Sequence, residues 1–177
     1  MSEVPEAPEN LEEIADGAPH KLDLRHVTVE RITGWIFTLV LSGLSLVGLL
    51  VALFVSSPGT AKALAFVVAW VVMFAAFAAL SHFWPAALWR HASWALDARG
   101  LEIRRGVLWR EVVHVPRSRV QHTDVTQGPI QRAFGLATLT VHTAGREEAQ
   151  VDLSGIAFEE AQRIRQELTG LRTDDVV

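Results

Sequence analysis

Residues 112–145 read VVHVPRSRVQHTDVTQGPIQRAFGLATLTVHTAG. On both sides of a short interruption, apolar and polar residues take turns. That period of two marks half-buried β-strands. The interruption is Gln127–Gly135, QGPIQRAFG, with a Gly-Pro step, an arginine and a second glycine. Its glycines lack the spacing of a Walker or dinucleotide-binding loop. Pro129 suits the first position of a helical turn, where a missing N–H costs nothing. Gly135 suits a left-handed cap that releases the chain into the next strand. The stretch therefore reads as a turn of helix linking two strands.

The alternation extends outward in both directions. SWALD ends in a turn at Asp97–Gly100, and LEIRRGVLW places Leu101 and Ile103 inward against Glu102 and Arg104, with Gly106 as a bend. REVVHV runs to Pro116, and RVQHTDVTQ follows. LATLTVHTA sets Leu139 and Val141 on one face and Thr138, Thr140 and His142 on the other. After a turn at Gly145, Val151 and Leu153 point inward again. About seven short strands in roughly sixty residues predict a bent sheet or partly open barrel. A C-terminal helix follows, with Ser154 as a cap near its start. Its apolar stripe is Ala157, Ala161, Ile164, Leu168 and Leu171, and Glu159, Glu160, Glu167, Arg163 and Arg165 face solvent.

The other half of the chain is of a different kind. No charged residue occurs from Ile32 to Ala61 or from Ala63 to Trp89, and Lys62 alone separates the runs. Each run exceeds the roughly 20 apolar residues that cross a bilayer core. Spans are expected at about 34–55 and 64–88, within a hairpin over 32–89, joined at Ser57-Pro58-Gly59. Trp35, Trp84 and Trp89 mark span boundaries, and Gly34, Ser42, Gly43, Ser45 and Gly48 allow close helix approach. Pro85 is a kink candidate. Lys21, Arg25 and Arg31 precede the first span, and Arg90, Arg99, Arg104 and Arg105 follow the second. The positive-inside rule then puts both termini in the cytoplasm and the short loop outside. Before Ile32 there are eight acidic and three basic residues, so the first run reads as a retained anchor rather than a signal peptide. Residues 1–20 read as a disordered acidic tail. Residues 21–31 read as an extended or interfacial juxtamembrane segment, 90–170 as the cytoplasmic domain and 171–177 as a tail.

Chemistry-bearing patterns are sparse. There is no cysteine, nucleophile elbow or HExxH motif. His114, His122 and His142 fall on expected strands, but without ligand spacing they read as surface or wall residues, and no metal is assigned. His122 and Asp124 share a strand face, as an acid–base or cross-strand polar pair. His82, in the second run, is an intramembrane candidate by default or, two residues from Trp84, an interfacial histidine. From Arg90 to Leu153 there are nine arginines, seven acidic residues and no lysine, which is no nucleic-acid footprint. Arg104, Arg105, Arg110, Arg117, Arg119 and Arg132 are candidates for a basic patch facing lipid or a partner, or else pair with Glu102, Glu111 and Asp124 on a solvated sheet. Near an anionic leaflet each would gain about 1 kcal/mol.

One set of residues carries a resemblance. Val115-Pro116, Arg119-Val120-Gln121, Gln127-Gly128-Pro129, Gln131-Arg132, Phe134-Gly135-Leu136-Ala137 and Thr143-Ala144-Gly145 form a long specific pattern. It resembles the bacterial pleckstrin-homology-like (PH-like) domain of YdbS-like membrane proteins, over roughly Trp94 to Leu168 and with the hairpin directly before it. The resemblance implies a bent sheet of about seven strands capped by a C-terminal helix. It implies no catalytic residue and no cofactor, and makes Pro116, Arg119, Gln121, Gln127, Gly128, Pro129, Gln131, Arg132, Phe134 and Gly135 structural. It also implies an accessory or scaffold role at the membrane, linked to envelope stress or antimicrobial-peptide tolerance. The expected partners are membrane lipids and either a membrane protein carrying several such domains or further copies of the chain. The alternative is an anionic-lipid or peptide sensor working through the arginines. An enzyme or transporter component using His82, His122 and Asp124 is the remaining class.

Overall fold

The computed structural model describes residues 14–144 and 150–170. The chain divides into a helical unit, Val27–Ala87, and a unit built from residues 14–26 and 88–170.

In the helical unit, α1 (Arg25–Ser56) and α2 (Thr60–Arg90) have 32 and 31 residues. Both are long and apolar enough to cross a membrane. At 1.5 Å per residue each spans about 45 Å, more than the hydrocarbon core requires. Gly34 is where the two approach closely: a Cβ there would sit 3.1 Å from that of Ser81. The Ser81 hydroxyl donates to the Gly34 carbonyl (3.1 Å) and lies 2.8 Å from the Thr38 hydroxyl. The Trp70 indole donates to Ser45 Oγ (3.0 Å), and Arg31 Nε to the His82 carbonyl (2.9 Å). Polar side chains are thus satisfied between the helices. α2 continues through Pro85 to Arg90.

The segment expected to be extended or interfacial is helical from Arg25 onward. Asp23 explains the difference. Its carboxylate accepts the Arg25 N–H (2.8 Å) and its carbonyl the His26 N–H (3.0 Å), which closes the first turn. Residues 14–20 of the expected disordered tail are folded onto the domain. Residues 1–13 lie outside the described residues, but Ile14, Ala15 and Leu22 pack on the core. Backbone bonds join Gly17 to Leu96, and His20 to Trp94 in both directions. This short stretch covers the edge of the first strand.

Six strands form two antiparallel three-stranded meanders. The first is β1 (Ser93–Leu96), β2 (Gly100–Arg105) and β3 (Glu111–Pro116). The second is β4 (Val120–Thr126), β5 (Leu136–Thr143) and β6 (Gln150–Ala157). Among the described residues the count is six rather than about seven. His20 contributes only an isolated bridge, and the chain after it turns into α1. The core joins Trp94, Leu96, Leu101, Ile103, Val113 and Val115 of the first sheet to Leu139, Val141, Val151, Leu153 and Ile156 of the second. The inward alternation expected at Leu101, Ile103, Leu139, Val141, Val151 and Leu153 is what the strands show.

α4 (Phe158–Gly170) packs against β4, β5 and β6 and buries Ala161, Ile164 and Leu168. Ser154 is not its cap, because β6 continues to Ala157 and the Ser154 hydroxyl accepts from Thr138 (3.2 Å). Ala157 belongs to that strand, and Leu171 and the expected tail 171–177 lie outside the described residues. Glu160 is half-buried rather than on the solvent face.

Candidate functional site

The motif Gln127–Gly135 holds itself together. α3 (Pro129–Ala133) begins with proline, and Gln131 Oε1 accepts the Gly128 N–H (2.9 Å). That replaces one of the unpaired donors of a helix start. Gln127 Nε2 donates to the Leu136 carbonyl (2.7 Å). Gly135 has φ +67 and its carbonyl accepts the Phe158 N–H (3.0 Å), tying the turn to α4. Phe134 is partly buried. Pro116 ends β3 and leads into a 3-10 turn, Arg117–Arg119. Gln121 lies on β4, exposed. Gly145 of the motif lies outside the described residues.

The six arginines do not form one patch. Arg117, with its side chain 12% exposed, donates Nε to the Asp97 carbonyl (3.1 Å) and Nη1 to the Glu167 carbonyl (3.0 Å). It clamps the β1–β2 turn to the end of α4. Arg119 lies in the turn before β4, and Arg132 lies exposed on α3. Arg104, Arg105 and Arg110 gather at the other end of β2 and β3, about 20 Å along the strands from Arg117.

Around those three lies a cleft of about 460 Å³, lined also by Lys21, Arg90, Glu102 and Glu111. Five cations face two carboxylates there. Arg104 Nε donates to Glu102 (2.5 Å) and Arg105 Nε to Glu111 (2.7 Å). The Arg105 guanidinium holds the Glu111 carboxyl below the ordinary range, and Arg105 itself is held higher by that hydrogen bond. Lys21 Nζ donates to the Arg90 carbonyl (2.8 Å), a cation at a helix C-terminus. No hydrogen bond or ion pair engages the Arg110 side chain among the described residues.

Gly106 and Arg110 of the loop between β2 and β3 line the cleft as well. β2 ends at Arg105, so Val107, Leu108 and Trp109 are loop, not strand. Gly106 turns the chain with φ +114, where a Cβ would fall 1.8 Å from the Trp109 carbonyl. Leu108 is 78% and Trp109 87% exposed. Sequence reasoning missed this tip, and Lys21 and Arg90 with it. The available signal was three apolar residues in a hairpin loop, where turn residues are the rule.

The outward face of the second sheet is polar throughout. Reading across the strands, His122 faces His142 and Gln150, Asp124 faces Thr140 and Asp152, and Thr126 faces Thr138 and Ser154. A bulge sets this register. Val120 pairs with Thr143, but two residues later His122 pairs with His142. Val120 is buried and His122 exposed, so the bulge turns the histidine outward. His122 and Asp124 do share a face. His142 Nε2 lies 3.2 Å and His122 Nε2 3.9 Å from Asp124 Oδ2, and the rings stack at 4.0 Å. His114 lies elsewhere, on β3 opposite Glu102. His82, on α2, sets its ring edge-on to Phe83 at 4.9 Å.

Residues 36–172 match a family described as the bacterial PH domain. The chain is 34% identical over 92 residues to UPF0699 transmembrane protein YdbS of Bacillus subtilis (strain 168). It is 30% identical over 79 residues to UPF0699 transmembrane protein YdbT of the same organism. The first alignment covers 50% of this chain and 56% of the relative, the second 44% and 16%. This chain thus spans about half the length of the first and about a sixth of the second. No solved structure matches.

Proposed function

Since the chain belongs to the bacterial PH domain family and is a YdbS-like membrane protein with two apolar helices, we propose that it is a non-enzymatic inner-membrane protein whose domain binds an anionic membrane surface. In this reading both termini are cytoplasmic and the domain works at the inner leaflet. The observation that carries it is the β2–β3 tip. The exposed Leu108 and Trp109 lie in the loop whose Gly106 and Arg110 line, with Arg104 and Arg105, a cleft with an excess of cations. Indole rings favour the headgroup boundary. Each uncompensated cation adds about 1 kcal/mol near anionic lipid, and salt screens the attraction.

Reconstitution of the full chain in nanodiscs of neutral and of anionic lipid tests this. Amide exchange at residues 106–112 is expected to slow only in anionic discs, and to recover at about 1 M salt, where the Debye length is only about 3 Å. Leu108→Ala with Trp109→Ala removes the protection. Equal exchange in both lipids overturns the reading.

A second reading has a separate support. The chain also matches part of the much longer YdbT, and Gly43 and Gly48 on α1 have no neighbour within 4 Å of where a Cβ would be. An accessory or scaffold subunit would use such open faces for a larger membrane protein or a second copy. A protein purified in mild detergent as a strict monomer, with nothing bound, counts against it. A role in envelope stress or antimicrobial-peptide tolerance belongs to this reading, and a deletion strain of unchanged sensitivity removes it.

A further inference from the structure

We propose that His122, Asp124 and His142 form a surface site for a divalent transition-metal ion of the zinc class. One donor atom from each of the three lies within 4.8 Å of the other two. Two ligands on one tetrahedral zinc, at about 2.1 Å each, stand about 3.4 Å apart. The two imidazole-to-carboxylate distances, 3.2 and 3.9 Å, bracket that value. The rings stack with an interplanar angle of 11°, so they must swing apart for both lone pairs to converge on one ion; His122 and Asp124 are exposed and His142 half-buried.

The backbone supplies the template. His122 and His142 are direct cross-strand partners, and Asp124 follows two residues along the same face. Antiparallel partners hold their Cβ atoms about 5 Å apart, a span that two imidazoles bridge through one ion. Without the bulge after Val120 the histidines would not face each other. Bulges occur at sheet edges, where β4 lies, as well as beside sites, and this one re-aims His122.

Two further observations favour a cation over a plain polar contact. A single carboxylate faces both stacked rings, and only His142 comes within hydrogen-bonding distance of it. A divalent ion would satisfy both nitrogens and the carboxylate together. In addition, the nine outward positions of β4, β5 and β6 described above hold Asp124 and Asp152 but no lysine or arginine. Three protein donors leave a coordination position for water or for a donor from another molecule, so the site is an exchangeable one.

The test uses the metal-free full chain in detergent, with any purification tag removed. Titration with Zn²⁺ against a chromophoric chelator is expected to show one site lost in His122→Ala/Asp124→Asn/His142→Ala. Asp124→Asn or His142→Ala alone should weaken binding about tenfold or more, while His114→Ala leaves it unchanged. Co²⁺ should give the visible absorption of a four-coordinate site in the wild type and not in the triple variant. Unchanged stoichiometry in the triple variant overturns the proposal, as does no Zn²⁺ or Co²⁺ bound by the wild type. Imidazole resonances guard against a variant that fails to fold: in the wild type Zn²⁺ must shift those of His122 and His142, and unshifted signals overturn the proposal equally.

Discussion

At the scale of the residue, two carboxyl groups show how local surroundings set stability against pH. Asp97 caps the β1–β2 turn by accepting the Arg99 and Gly100 N–H groups at 2.8 and 2.9 Å. The Arg99 side chain, and then the Gly100 N–H, hold its carboxyl below the ordinary range. A lowered carboxyl stabilises the fold above its unfolded value, and that contribution disappears as the pH falls through the folded one. Asp97→Ala is expected to lower the melting temperature at pH 7, and the deficit should vanish in strong acid. Glu160 behaves oppositely. Burial pushes its carboxyl up, against the Ala157 N–H that favours the charge. A raised carboxyl leaves the fold most favoured below its unfolded value and weakens it as the pH rises. Glu160→Gln keeps an acceptor for that N–H. It should raise the melting temperature by about 1–3 °C at pH 7, a gain absent below about pH 4. Thermal melts across pH check both.

At the scale of the element, pieces distant in sequence are tied by few side chains. Arg117 holds the β1–β2 turn and the end of α4 through two carbonyls, with Glu167 Oε2 3.6 Å away. Hydrogen bonds to a charged donor are worth about 1.5–3 kcal/mol when buried. Arg117→Ala should therefore cost about 2 kcal/mol in denaturant unfolding, and it should leave lipid-dependent exchange at the tip unchanged. A lipid effect as large as that of Trp109→Ala would mean that Arg117 faces the membrane instead. The sequence placed Arg117 with the other five arginines because composition records the charge, not the partner.

At the scale of the whole molecule, a domain of two small sheets and a helix depends on one shared core. Leu139 is fully buried at its centre. Leu139→Ala should destabilise the domain by about 2–5 kcal/mol. The loss is read from thermal melts followed by near-ultraviolet signals, to which the buried Trp94 contributes. Because α1 and α2 fold as a separate compact unit, far-ultraviolet helicity from the spans is expected to survive.

Much of this was legible in the amino acids. Two charge-free runs marked the two helices long and apolar enough to cross a membrane, because a bilayer core disfavours charge. Alternation at Leu101 and Ile103, and at Leu139 and Val141, fixed which face of each strand is buried. Pro129 and Gly135 fixed a turn of helix, since both act through their own backbone geometry. What the sequence left open depends on pairing between strands. A bulge after Val120 shifts the register by one residue and turns His122 toward His142, and nothing local to either histidine encodes that. The same holds for the basic cleft. Lys21, Arg90 and Arg104 are brought together only when the chain before α1 lies along the domain. Spacing in sequence determined faces and spans, whereas the meeting of side chains across strands was decided by the tertiary fold, because such contacts depend on register.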